Sequence, residues 1–295
     1  YRYQRILMPL LAWTLSGGSM DRVPYAIVGL NVFGVALGAF IVALYCRHFG
    51  VTPYLSLLYA CALWSPISLS RSTIEPFYLF TLLAGFYVYC IKNKPLLSAL
   101  IFSTAVLTRE LAILSVISIA LFEILQGKYK RIIYWSIPFI AYACWQGFIY
   151  YRFREFSSAV GPMAKPYEWG IPFHGLLAKI WEHIETLRTN FNTEDVGKVI
   201  VLAITGSAVV ITLSGIRKIE NPFQILGAIY SVLFLFYTAP RGWTDFWGYT
   251  RHTAELFICL IFFYLYTKQK RFLFPVIANS LFACIVAYTI MFIRK

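Results

Sequence analysis

From Pro24 to Cys46 the chain carries no charged side chain, and apolar runs of similar length recur along it. A run of about 20 apolar residues is what a helix needs to cross a bilayer core. Inside the core every backbone N–H and C=O has to be satisfied within the structure, so only helices and closed barrels span it. The runs show no alternation of apolar and polar residues, which argues against barrel strands. The expected fold is therefore all-α, a polytopic transmembrane bundle forming one domain over 1–295. Composition agrees: 59% of residues are hydrophobic and 13% charged, where soluble domains run near one quarter charged.

The runs place about ten membrane helices at 24–46, 53–70, 73–91, a short pair at 95–107 and 110–126, then 131–151, 196–214, 221–240, 252–267 and 271–292. A shorter apolar piece, 6–17, carries Pro9, ends at Gly17-Gly18 and reads as a half-helix or interfacial helix. The chain begins at Tyr1, and sequence upstream of it, with a first transmembrane helix, is expected. Gly34 and Gly38 form a small-xxx-small pair that predicts close helix packing.

The net charge of +13 has no basic stripe or binding module behind it, so no nucleic-acid partner is expected. In a membrane chain, bases report topology first. With 24–46 running from outside to inside, the inner links hold Arg47, Lys92, Lys94, Lys128, Lys130, Arg131, Arg217, Lys218, Lys268, Lys270 and Arg271, with only Glu123 and Glu220 as acids beside them. Arg294 and Lys295 run against this orientation, since they then end outside.

The stretch STAVLTRELAIL, residues 103–114, sets Arg109 beside Glu110 inside an apolar region. Lys94 and Lys128 both fall inside, so the chain between them goes out and returns, with too few residues for two full crossings. Two short helices meeting at LTREL are expected, with the charges at the tip. A charge at membrane depth is costly unless paired or facing a wet cavity. Adjacent residues on a helix do not face each other, so each charge is expected to find its partner elsewhere in the protein or on a substrate.

The largest extramembrane segment, 152–195, opens with an aromatic, Gly- and Pro-rich stretch. In it Leu176, Leu177, Ile180, Ile184 and Leu187 recur at helical spacing. This predicts an amphipathic helix, lying on the outer leaflet or packed on other loops. The polar residues needing explanation collect on the outer side: Arg2, Arg5, Asp21, Arg22, Arg71, Glu75, Arg109, Glu110, Arg241, Asp245, Arg251 and His252. Their surplus of arginine suits a phosphate or pyrophosphate, whose oxygens match the guanidinium fork. Ser72-x-x-Glu75 has capping-box spacing, and Asp21-Arg22 also suits a plain helix boundary. Trp243, Phe246, Trp247 and Tyr249 suit an interfacial aromatic belt, or stacking on a sugar held beside Arg241, Asp245 and Arg251.

The six cysteines lie in or at the ends of apolar runs without a CxxC pair and read as small buried residues. No HExxH, Walker loop or Gly-x-Gly-x-x-Gly occurs. No cofactor is indicated, and no ligand cluster demands a divalent metal.

With these residues in view the chain resembles the GT-C superfamily of polytopic glycosyltransferases, and within it bacterial relatives of the mannosyltransferases that use polyprenyl-phosphate sugars. The resemblance rests on YRYQRILMPLLAWTL, the LTRELAIL hairpin, the long outer loop and YTRHTAELF. It implies transfer of a sugar from a polyprenyl-phosphate donor, at the outer face of a bacterial inner membrane, with membrane lipid and lipid-linked sugar as partners. Arg5, Arg109 and Arg251 match basic positions suited to the donor phosphate. The family's catalytic carboxylate is expected upstream of Tyr1, and within the chain Glu110 is the candidate. A lipid-linked glycan flippase or transporter, and a polysaccharide polymerase or ligase, are the competing readings.

The orientation predicts opposite labelling of single cysteines placed at 128 and 168 by a membrane-impermeant thiol reagent. Labelling of both from one side would contradict it.

Overall fold

The computed structural model describes residues 5–71, 73–153, 174–189, 191–216, 219–236 and 246–292, with backbone alone at 70–71, 193–194, 246–252 and 287–292. The described residues are helical throughout and hold no strand. The helices are α1 (Leu7–Leu15), α2 (Val23–His48), α3 (Ser56–Ala60), α4 (Trp64–Arg71), α5 (Glu75–Cys90), α6 (Pro95–Thr108), α7 (Ala112–Leu125), α8 (Ser136–Phe153), α9 (His174–Thr189), α10 (Thr193–Ser214), α11 (Pro222–Phe236), α12 (Phe246–Thr267) and α13 (Leu273–Phe292). Three stretches, Met20–His48, Tyr129–Phe153 and Asp195–Ser214, are long and apolar enough to cross a membrane, and α6, α7 and α11 are shorter apolar helices. Side chains such as Val32, Phe33 and Phe40 stand exposed on α2, as lipid-facing residues do. The chain is an all-α membrane protein. Its helices divide into two compact units, Tyr1–Ala60 with Ser68–Lys165, and Cys61–Ile67 with Pro166–Lys295.

In the first unit α2 and α5 run parallel, in contact from Gly34 against Pro76 to Tyr45 against Tyr87. Lipid tails offer apolar side chains no reason to leave them, so close backbone approach has to hold such helices together. The small residues supply it. A Cβ on Gly34 would stand 2.7 Å from the carbonyl carbon of Pro76 and the nitrogen of Phe77, and one on Gly38 would meet the Tyr59 ring. The small-xxx-small pair therefore packs helices, as its spacing predicts. α6 returns antiparallel to α5, with the Ser98 hydroxyl donating to the Gly85 carbonyl at 2.8 Å and Phe86 edge-on to Phe102. α1 lays Met8 and Ala12 against Leu30 and Phe77. It ends where Gly17 adopts φ +62°. There Gly18 N–H bonds the Trp13 carbonyl and Gly17 N–H the Thr14 carbonyl, a Schellman cap.

At one end of this unit lie the exposed bases Arg47, in the last turn of α2, and Lys92, Lys94, Lys128 and Lys130, which follow α5 and α7. Beneath them Glu123 is fully buried. It accepts from the Tyr89 hydroxyl at 2.8 Å and stands 3.7 Å from Arg131, whose guanidinium also donates to Asn93. The sequence reading has Glu123 simply as an acid near the inner bases; the fold makes it the anchor of the 129–135 turn.

In the second unit α12 is buried on all sides from Thr253 to Phe263, the pattern of a central helix. α11 runs antiparallel to it, with Phe223 stacked flat on Phe262 at 3.8 Å. Gly227 lets Thr212 of α10 approach. Gly215 does the same for Phe272.

Three expectations need correction. The span at 53–70 is not one helix but breaks at Cys61–Leu63 between α3 and α4. Pro66 is the cause: it lacks an N–H, and its ring would clash with the carbonyl of Ala62 in a continuous helix. The freed Leu63 N–H donates to Asn279 Oδ1 at 2.9 Å. Secondly, the amphipathic helix α9 packs on a neighbouring helix rather than on loops. It lies antiparallel along α10, with Leu176 facing Gly206 and His183 facing Asp195, and leaves Leu177 and Trp181 exposed. Thirdly, only Cys46 and Cys259 among the cysteines are buried, while Cys61, Cys144 and Cys284 are exposed, which the apolar outer faces of a membrane helix permit.

Gly34→Ala should destabilise the detergent-solubilised protein by about 1–3 kcal/mol, because backbone atoms cannot yield as a side chain can. Gly29→Ala, with nothing within 4 Å of the new Cβ, should be neutral or stabilising. Equal thermal unfolding of the two variants would contradict the packing.

Candidate functional site

The apolar hairpin reverses at residues 109–111. Arg109 closes α6 in an extended conformation, φ −152° and ψ 124°, and its N–H still reaches the Ala105 carbonyl at 2.8 Å. α7 starts when the Ala112 N–H bonds the Arg109 carbonyl. Successive side chains on extended backbone point to opposite sides, so Arg109 and Glu110 part company. α6 is 14 residues long, about 21 Å at 1.5 Å per residue, well short of a bilayer core of about 30 Å.

Glu110 turns toward the segment before α1. Arg5 Nε donates to Glu110 Oε2 at 3.0 Å and Arg5 Nη2 donates to Oε1 at 2.8 Å. This is a fork-on-carboxylate pair, the strongest geometry for such contacts. Arg5 thus supplies both hydrogen bonds and the compensating charge for the Glu110 carboxylate. Tyr142 of α8 lies within electrostatic reach of both charges.

Arg109 turns inward and is only 1% exposed. Its guanidinium carbon lies 5.3 Å from the centre of the Tyr78 ring, a cation–π contact worth about 0.5–2 kcal/mol. Stacking occupies the guanidinium face, while its N–H groups lie in the plane of the group. Glu75 sits one turn before Tyr78 on the same face of α5 and is fully buried. α5 thus carries a buried carboxylate one turn before the ring that Arg109 covers. The capping-box reading of Glu75 is corrected here: α5 begins at Glu75 itself, with Ile74 at the N-cap, because Pro76 fixes the start of the helix. Glu75 is the first helical residue, not the third as the box requires.

The same end of the unit holds Asn31 on the α2 stripe that contains Gly34 and Gly38. Asn31 is fully buried and neither polar atom of its amide makes a hydrogen bond among the described residues. Asp21 and Arg22 are exposed in a short turn before α2, which fits a boundary role.

Of the other residues singled out in the sequence, Arg2, Arg241 and Asp245 lie outside the described residues, as does Trp243. Arg251 falls on α12 in the second unit, without a described side chain, and so do Phe246, Trp247 and Tyr249. The fold therefore brings together Arg5, Glu110 and Arg109 and adds Glu75, Tyr78 and Asn31. The i, i+3 spacing of Glu75 and Tyr78 was the available signal for the first two. Asn31 in an apolar run, on the stripe that carries both glycines, was the signal for the third. In the second unit Glu255 is fully buried within α12. Among the described residues no group of three or more His, Cys, Asp or Glu is placed to hold a metal ion.

The Arg5–Glu110 pair should show a coupling of about 1–3 kcal/mol in a double-mutant cycle with Arg5→Ala and Glu110→Ala, read by thermal unfolding in detergent. Additive losses would mean that the fork does not hold the α1 segment to the hairpin.

Comparison with known proteins finds no family model, no curated protein and no solved structure that matches this chain.

Proposed function

We propose that this chain is a membrane glycosyltransferase of the GT-C type that moves a sugar from a polyprenyl-phosphate donor to an acceptor at the extracytoplasmic face of a bacterial inner membrane. The observation that carries the reading is the reversal of an apolar hairpin on Arg109, which is buried over Tyr78 of α5, while Glu110 engages Arg5. Arginines fixed at membrane depth suit a phosphate that stays attached to its lipid. The phosphate gains negative charge as the bond to the sugar breaks, and preorganised donors stabilise that charge most effectively where water is scarce. In this reading Glu110 orients Arg5, and Arg109 and Arg5 face the phosphate from the hairpin side. The exposed bases at the opposite end of the first unit support the same orientation, with the arginine site outside.

The flippase reading calls for polar groups leading across the membrane. Glu123 is polar and buried at the basic end, but Tyr89 and Arg131 hold it and Trp135 packs edge-on to Tyr89. That arrangement favours an anchor over a path.

The test is the affinity of the purified protein for a short-chain polyprenyl phosphate. Arg109→Lys keeps the charge and removes the fork. It should weaken binding about 10- to 100-fold, in line with the one to three kcal/mol of a charge-assisted pair, while thermal unfolding stays near wild type. Wild-type affinity in a folded Arg109→Ala protein would remove the residue from the site.

A further inference from the structure

At the basic end of the first unit, Lys92 and Lys94 sit on the link between α5 and α6, and Lys128 and Lys130 on the link that leaves α7; all four are exposed. Backbone hydrogen bonds fix both links. The Lys92 N–H reaches the Tyr87 carbonyl and the Lys94 N–H the Val88 carbonyl, while the Lys128 N–H reaches the Glu123 carbonyl. Arg131 then ties one link to the other by donating to Asn93 Oδ1 at 2.8 Å. Asn93 lies between the first two lysines with a left-handed φ of 50°. The two lysine pairs are thereby clipped together. Glu123, the acid that borders these links, is fully buried and held by Tyr89 and Arg131, so it offsets none of the exposed ammonium groups. Gathered charges of one sign repel each other until a counter-charge arrives. The helix faces next to them are apolar. α6 exposes Leu96, Leu97 and Leu100 just after Lys94, and α7 exposes Leu121, Ile124 and Leu125 just before Lys128.

From this geometry we propose that the two clipped links form a headgroup site for an anionic phospholipid, with its phosphate among the four lysines and its acyl chains along the exposed leucines of α6 and α7. Two observations select that occupant. The exposed charge is of one sign, so a zwitterionic headgroup, which brings a cation of its own, gains less from it. The apolar faces continue directly from the bases, so they offer the chains of a lipid a surface that a free phosphate does not use. Lysine stems can lie along such a face while the ammonium stays at the headgroups. Both links are already held by hydrogen bonds, so little freedom is lost when the lipid binds. The site lies wholly within the first unit, at the end away from the arginine hairpin. The inference does not depend on the transferase reading and would hold equally for a flippase.

The experiment titrates the purified full chain in detergent with phosphatidylglycerol and with phosphatidylcholine of identical chains, and reads bound lipid by native mass spectrometry. The wild-type protein should hold phosphatidylglycerol about 10-fold or more tighter, since each lysine beside an anionic headgroup is worth about 5-fold. Lys92→Gln combined with Lys94→Gln should weaken phosphatidylglycerol about 10- to 30-fold on the same scale. It should leave phosphatidylcholine unchanged and unfold near the wild-type temperature. Arg22→Gln combined with Arg152→Gln removes equal charge from exposed positions at the other end of the unit and should retain the lipid. If the first double variant does not fold, Lys128→Gln combined with Lys130→Gln reads the same loss from the second link. Equal wild-type affinity for the two lipids overturns the proposal, and so does an equal loss in the lysine and arginine variants. Displacement of phosphatidylglycerol by inorganic phosphate at matched concentration also overturns it, because the site would then read the free anion and not the lipid.

Discussion

An arginine and a glutamate in the middle of an apolar hairpin set the terms for the first unit. Neither charge can be left alone at that depth, and the backbone answers by breaking the helix between them. Arg109 adopts an extended conformation, which sends the two side chains to opposite sides of the chain. Glu110 is then free to take Arg5 by both oxygens, pinning the segment before α1 to the tip of the hairpin. Arg109 goes the other way, onto Tyr78. The positions of α1, α5, α6 and α7 at this end follow from satisfying those two charges.

The rest of that unit shows why the charges can be held so tightly. α2 and α5 approach until only glycine fits between them at Gly34, and α5 and α6 are joined by Ser98 and Gly85 in the same economical way. Packing of this kind is rigid, because neither side has a flexible chain to yield. A phosphate site needs that stiffness: donors that must reorganise as charge develops lose much of their value. Glu123 and its partners at the opposite end fasten the 129–135 turn and complete the frame.

Much of the architecture was legible because bilayer geometry leaves a chain few choices. The lengths of the apolar runs located α2, α5 and α10, and the shortage of residues between Lys94 and Lys128 forecast the α6–α7 hairpin. The break at Cys61–Leu63 was hidden because the run around it stays apolar; its cause, Pro66, is visible only when backbone donors are counted. The packing of α9 along α10 was hidden for a different reason. Its periodicity declares an apolar face but not what covers it, and a lipid surface and a neighbouring helix give the same pattern. In the candidate site, charge at membrane depth pointed to Arg109 and Glu110. It could not show that Glu110 belongs with Arg5, a hundred and five residues away. Glu75 was misread as a cap because a capping-box spacing survives in sequence even when the helix starts two residues later. The meeting of His183 and Asp195 depends on the antiparallel register of two helices, and nothing local to either residue announces it.

The central claim is that the hairpin end of the first unit receives a lipid-linked phosphate. Photocrosslinking tests it most directly, with a polyprenyl-phosphate hexose that carries a diazirine next to the phosphate and peptide mapping of the adducts. The account predicts adducts concentrated on the α6–α7 link and the residues around Arg5, abolished by excess unlabelled donor. Adducts confined to outward-facing residues of α2 such as Phe40, and insensitive to competition, would contradict it.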